Sequence, residues 1–151
     1  MKWVRRTAVI LGSVAVVYGM VYLDLLMRAR HAYLEGEKYW SWHRHPEEKV
    51  KYYEQWLAQR RGELEKKLRK GKISSEVLRR EKELLEFQKE EALRESSIKY
   101  AYVWYQTAVE LFSPPDSKWV RLSRERMLLA KELWRKELQA KKIPFEEYML
   151  E

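Results

Sequence analysis

TAVILGSVAVVYGMVYLDLLM, residues 7–27, is an apolar run interrupted by a single charge, Asp24, near its far end. At a rise of about 1.5 Å per residue its 21 positions make a helix of roughly 31 Å, which matches the hydrocarbon thickness of a bilayer. A core helix of a water-soluble domain carries a polar stripe at 3.6-residue spacing, and no such stripe precedes Asp24. The run therefore reads as a transmembrane helix. Lys2, Arg5 and Arg6 stand before it as they would in a secretory signal peptide. The residues that follow, Arg28-Ala29-Arg30-His31, offer no small-x-small cleavage site, and Ser13-Val14-Ala15 comes too early to leave an adequate apolar region. The segment is expected to remain as a signal anchor. Lys2, Arg5, Arg6 and the amino terminus outweigh Arg28 and Arg30, so the positive-inside rule predicts a cytoplasmic N-terminus and a C-terminal domain on the opposite, periplasmic or extracytoplasmic, side.

The chain carries 31 Lys and Arg against 23 Asp and Glu, a formal net charge of +8. Setting aside Lys2, Arg5, Arg6 and Asp24 leaves +6 on residues 28–151. A basic domain tethered at a bilayer is drawn to anionic headgroups, by about 1 kcal/mol for each nearby Lys or Arg, so the lipid surface is one expected partner. Nucleic acid is not, because acidic residues are interspersed with basic ones along nearly the whole chain. Having no cysteine excludes disulfides, thiolate metal sites and cysteine nucleophiles.

Ala8, Gly12, Ala15 and Gly19 recur at i, i+4, i+7 and i+11, so small side chains share one helix face. Such a face lets another helix approach closely, a main source of association in lipid. Asp24 and Arg28, four apart, can pair where the run ends. Further on, KYWSWHRHP, residues 38–46, sets aromatic rings among basic side chains. Tyr39, Trp40 and Trp42 suit the headgroup layer, with Trp3 marking the opposite interface; core packing at the start of the soluble domain is the competing use of the same rings. His43 and His45 form a His-x-His pair, but no third strong ligand is spaced to close a metal site around them.

Past Pro46 the pattern is helical. Val50, Tyr53, Leu57, Leu64 and Leu68 mark one stripe of a helix ending near Lys70-Gly71. Ser74 or Ser75 can cap the next helix, folding the two into an antiparallel hairpin. That third helix is expected over residues 75–112, with a charged, coiled-coil-like first half, an aromatic second half, and any bend at Ser96-Ser97. Asp116 or Ser117 caps a fourth reaching about Lys141, and Pro144 opens a last turn with Phe145, Tyr148 and Met149 as a docking face. The last two long helices each show two apolar stripes, more than a small bundle can cover. Tyr100, Trp104, Trp119, Met127 and Trp134 are accordingly the expected partner-binding residues.

YQTAVELFSPPDSKW, residues 105–119, resembles the second helix, terminal proline and following start of a tetratricopeptide repeat. AYLEGEKY, residues 32–39, is similar to the end of such a repeat's first helix, with KVKYYEQWL, residues 49–57, in place of its second. The likeness spans residues 32–57 and 98–138, and a sustained 34-residue period is missing. What it implies is a helical hairpin scaffold for protein contact.

No Gly-rich phosphate loop, HExxH, plausible Ser-His-Asp constellation or CxxCH is present. The expectation is a non-enzyme with no catalytic, cofactor-binding or metal-binding residues and no small-molecule substrate. The expected fold is all-α: a transmembrane anchor (1–35), an interfacial aromatic and basic linker (36–46), and a helical soluble domain (47–151) forming a small antiparallel bundle with one long, partly coiled-coil-like helix. The expected role is a single-pass subunit that anchors, scaffolds or helps assemble a larger membrane complex, its partners being other subunits of that complex. A membrane-tethered adaptor recruiting a soluble protein is the alternative.

Overall fold

The computed structural model describes residues 2–146, with side chains described for Trp3 and from Ile10 onward. The chain is all-helical over these residues: α1 (Lys2–Arg44), α2 (Pro46–Arg69), α3 (Ser75–Arg94), α4 (Ser97–Leu111) and α5 (Lys118–Ala140). Each boundary has a local cause. Pro46 opens α2, where its missing N–H and fixed φ are tolerated. Gly71, with φ of 64°, ends it: its N–H bonds the Leu68 carbonyl and that of Lys72 bonds the Lys67 carbonyl, the paired reverse bonds of a Schellman motif. The Ser74 and Ser117 side chains accept from the backbone N–H groups of Val77 and Val120, capping α3 and α5. The expected bend at Ser96-Ser97 is a full break, since α3 stops at Arg94 and α4 begins at Ser97.

The expected linker at 36–46 is absent. α1 is one helix of 43 residues, so residues 36–44 are its final turns. The apolar run and the KYWSWHR stretch therefore share one axis. Nothing between Arg28 and Arg44 breaks a helix, and the space that Gly36 leaves is filled by α4.

The chain divides into two compact units, Met1–Trp40 with Ile98–Glu151, and Ser41–Ser97. In the first, α4 runs antiparallel along α1: Tyr100 stacks on Tyr39 with ring centroids 5.2 Å apart, and Trp104 meets His31 edge-on at 6.0 Å. A Cβ built on Gly36 would lie 2.4 Å from Tyr105 Cε1, so the ring occupies the space that any larger residue would fill. α5 returns in the direction of α1, with Trp119 near Tyr33 at 5.5 Å and Arg126 over the Trp40 ring at 5.0 Å. Trp40, Ile98, Ala101, Tyr102, Tyr105 and Ala130 form the core of this unit.

The second unit is the expected antiparallel hairpin of α2 and α3. Arg61 pairs with Glu86, and Lys82 Nζ lies 2.8 Å from Glu65, so facing positions fall along one helix as they rise along the other. Leu57 and Leu85 are buried, and Trp42 packs on Tyr52 and Tyr53. Lys49, only 6% exposed, donates from Nζ to the carbonyl of Glu95 at 2.7 Å and of Leu93 at 3.5 Å. Its charge thus rests on the free carbonyls at the C-terminal end of α3, where a cation is favoured. Lys82 also holds the Glu65 carboxyl below its usual range, chiefly through their hydrogen bond.

Two glycines should respond to alanine in opposite ways. At Gly36 the gain in helix propensity, about 1 kcal/mol, is outweighed by overpacking against Tyr105, which costs about 1–3 kcal/mol. Gly62 of α2 has nothing within 4 Å of the added carbon, so Gly62→Ala should stabilise by about 0.5–1 kcal/mol. Urea midpoints in mild detergent distinguish the signs. Lys49→Met, which keeps the stem and deletes the donor, should cost about 1–3 kcal/mol in the same assay.

Candidate functional site

The polar centre of the first unit lies where α1, α4 and α5 meet. Tyr105, fully buried, donates its hydroxyl to Glu37 Oε1 at 2.6 Å, and Arg126 Nε reaches the same oxygen at 3.1 Å. Burial, and then the hydrogen bond to the Glu37 carboxylate, push the Tyr105 phenol above its ordinary range. The group is neutral and held as a donor. Glu37 and Arg126 are each about one-third exposed, so the pair is partly screened by water and its weight is mainly orientational. Among the described residues no three histidine, aspartate or glutamate side chains gather as a metal site. His45 Nδ1 lies 3.5 Å from Glu47 Oε1, and both side chains are exposed.

Toward the apolar run, α1 and the end of α4 frame an open cleft of about 430 Å³, lined by Asp24, Arg28, His31, Trp104, Thr107 and Phe112 among others. Asp24 and Arg28 form the expected ion pair at 2.7 Å. A second cleft, of about 260 Å³, sets Pro114 and Pro115 against Tyr18, Val21, Tyr22 and Leu25. The loop between α4 and α5 thus lies beside the apolar run itself.

Within that run, Ile10, Leu11, Val14, Val16, Val17, Met20, Val21 and Leu23 are all more than half exposed, on every side of the helix. Among the described residues, then, one helix is long and apolar enough to cross a membrane, and none of its apolar window, of mean hydropathy 1.9, is buried. Gly12 and Gly19 have open space where a Cβ would stand, and Ala15 is exposed on the same face; the side chain of Ala8 lies outside the described residues. Trp3 is exposed.

The other expected site residues are placed differently. Trp40 and Trp42 are buried in protein, and Tyr39 is half-buried under Tyr100, so these rings serve packing where headgroup contact was expected. The reason is distance as well as cover: Tyr39 stands seventeen residues past Tyr22, about 25 Å further along a continuous helix. Tyr100, Trp104, Trp119, Met127 and Trp134 are half-buried within the first unit, where Trp134 lies 5.7 Å from Tyr102 and Met127 packs on the core. The far half of α1 is a neighbour of Tyr100, Trp104 and Trp119, while Leu129 on the stripe of Trp119 stays more than half exposed. Residues 143–146 form no helix, and Tyr148 and Met149 lie outside the described residues.

Sequence reasoning missed Gly36, Glu37 and Arg126. The available signal was Tyr33, Gly36, Glu37 and Trp40 at helical spacing, hidden once residues 36–46 were assigned to a linker. Comparison with family models, curated proteins and solved structures returned no match.

The phenol predicts an alkaline limit. Because its folded pKa is raised above about 10, Tyr105 stabilises the fold fully below that pH, and the contribution is lost as pH rises beyond it. Tyr105→Phe should lower stability at pH 7 by about 1.5 kcal/mol, the low end for a bond to a charged group, since Glu37 keeps Arg126. Its urea midpoint should then decline less than that of the wild type above about pH 10.

Proposed function

We propose that the protein is a non-catalytic, single-pass membrane subunit that anchors, scaffolds or helps assemble a larger membrane protein complex, through its transmembrane helix and its helical domain. The observation that carries this reading is the first half of α1, apolar and exposed on all sides. Water is a poor solvent for such a surface, and lipid is a good one. Trp3 and Tyr22 are nineteen residues apart, about 28 Å of helix, so they bracket one hydrocarbon layer with aromatic side chains at both edges. Asp24, paired with Arg28, then falls just outside it.

The small face of Ala8, Gly12, Ala15 and Gly19 is where a neighbouring subunit's helix docks. At Gly12 and Gly19 this chain offers open backbone, the feature that close helix contact in lipid uses. The N-terminus, with Lys2, Arg5 and Arg6, faces the cytoplasm, and the helical domain lies across the membrane.

One observation favours a second reading, a membrane-tethered adaptor of tetratricopeptide-like build that recruits a soluble protein. Gly36-x-x-Tyr39 on α1 meets Ala101-x-x-x-Tyr105 on α4, followed by Pro114, in the residue order of the repeat pattern, with residues 41–97 intervening.

Extraction in mild detergent, with bound proteins quantified, separates the two. For the assembly subunit, replacing Ala8, Gly12, Ala15 and Gly19 with leucine should leave the protein in the membrane, resistant to high salt, and reduce its specific partners by an order of magnitude or more. Unchanged recovery of those partners rejects helix docking. An adaptor would keep its partner after removal of the first 30 residues.

A further inference from the structure

The loop joining α4 to α5 has a composition and a position that the anchor alone does not explain. Leu111-Phe112-Ser113-Pro114-Pro115 carries no charge, and Leu111 is 67% exposed at the end of a helix whose Ile98, Ala101, Tyr102, Tyr105 and Ala108 are buried. Contacts along α1 give the loop its level. Tyr100 meets Tyr39, Trp104 meets His31, Phe112 shares the cleft of Asp24 and Arg28, and Pro114 with Pro115 faces Tyr18 and Tyr22. α4 therefore descends along α1 until its end stands alongside the last turns of the apolar run. Those turns are exposed and need lipid; what stands beside them at the same level meets the same surroundings.

We propose that Leu111–Pro115 inserts into the interfacial layer of the bilayer beside α1, giving the first unit a second membrane contact. This rests on the reading of α1 as a membrane span. The chemistry suits that depth. Pro114 and Pro115 have no N–H to leave unsatisfied, and the Pro115 carbonyl accepts from Ser117 N at 2.8 Å, so the turn brings few bare backbone donors into a poorly hydrated layer. Leu111 supplies an apolar side chain to the acyl boundary, while Tyr18 and Tyr22 offer rings with polar tips to the same layer. Charge returns beyond the loop at Asp116 and Lys118, both exposed. With two contacts in place of one, the domain cannot swivel freely about the helix axis, and a single rotational setting is presented to neighbouring subunits.

The absence of cysteine makes the test direct. The full chain carrying a nitroxide on Leu111→Cys, Val14→Cys or Gln139→Cys is reconstituted into vesicles of mixed phosphatidylcholine and phosphatidylglycerol. Collision with oxygen, which concentrates in lipid, is compared with collision with a water-soluble nickel chelate. Leu111 and Gln139 are exposed, so neither substitution disturbs packing. The expected result is an oxygen-to-nickel ratio at 111 several-fold above that at 139 and below that at 14. A ratio at 111 equal to that at 139, with 14 still in hydrocarbon, overturns loop insertion and leaves the span intact. A ratio at 14 equal to that at 139 overturns the span, and loop insertion with it.

Discussion

Tyr105 can lie against α1 only because residue 36 has no side chain. With any larger residue there, its Cβ would stand inside the ring, and the ring could not sit deep enough to bring its hydroxyl to Glu37. That one close approach sets the spacing and register of α4 on α1. Register in turn decides that Trp104 comes to His31, and that the chain turns around beside Tyr18 and Tyr22. A slip of α4 by one helical turn, about 5.4 Å, would carry the uncharged loop away from the apolar run and leave the aromatic pairs unmatched.

Around this contact the charged groups and the phenol are paired with one another. Glu37 receives the Tyr105 hydroxyl and the Arg126 guanidinium, and Arg126 also covers the Trp40 ring. One carboxylate thereby ties α1, α4 and α5 together, and the geometry specifies which faces meet more than it adds to stability, since the pair is part-exposed. Lys49 does comparable work in the second unit, where its ammonium closes the carbonyl end of α3. Both features place a charge where backbone or hydroxyl partners are fixed in advance.

How the rings are used depends on where α1 stops. Tyr39, Trp40 and Trp42 have the amphipathic character of interfacial residues, and in sequence they follow an apolar run with basic side chains between. Continuity of the helix removes them from that level and commits them to packing. The same continuity supplies a neighbour for α4 and α5, so Tyr100, Trp104, Trp119, Met127 and Trp134 spend much of their surface within the chain. The apolar surface that stays uncovered is most continuous on the first half of α1, while Leu111, Phe87, Leu128 and Leu129 are also more than half exposed.

The amino-acid sequence by itself determined the local features: the apolar run, the Asp24–Arg28 pair, the proline start of α2, the glycine turn at 71, and the serine caps of α3 and α5. Each depends on residues within a turn or two of one another, so spacing and propensity suffice to read it. Tertiary structure alone decided that Gly36 accepts Tyr105, that Glu37 and Arg126 meet, that Lys49 closes α3, and that the loop after Phe112 stands beside Tyr18 and Tyr22. These partners are separated by dozens of residues, and no periodicity within one helix encodes which distant face will cover it. A glycine in a helix reads as a weak point until the ring that fills its place is known.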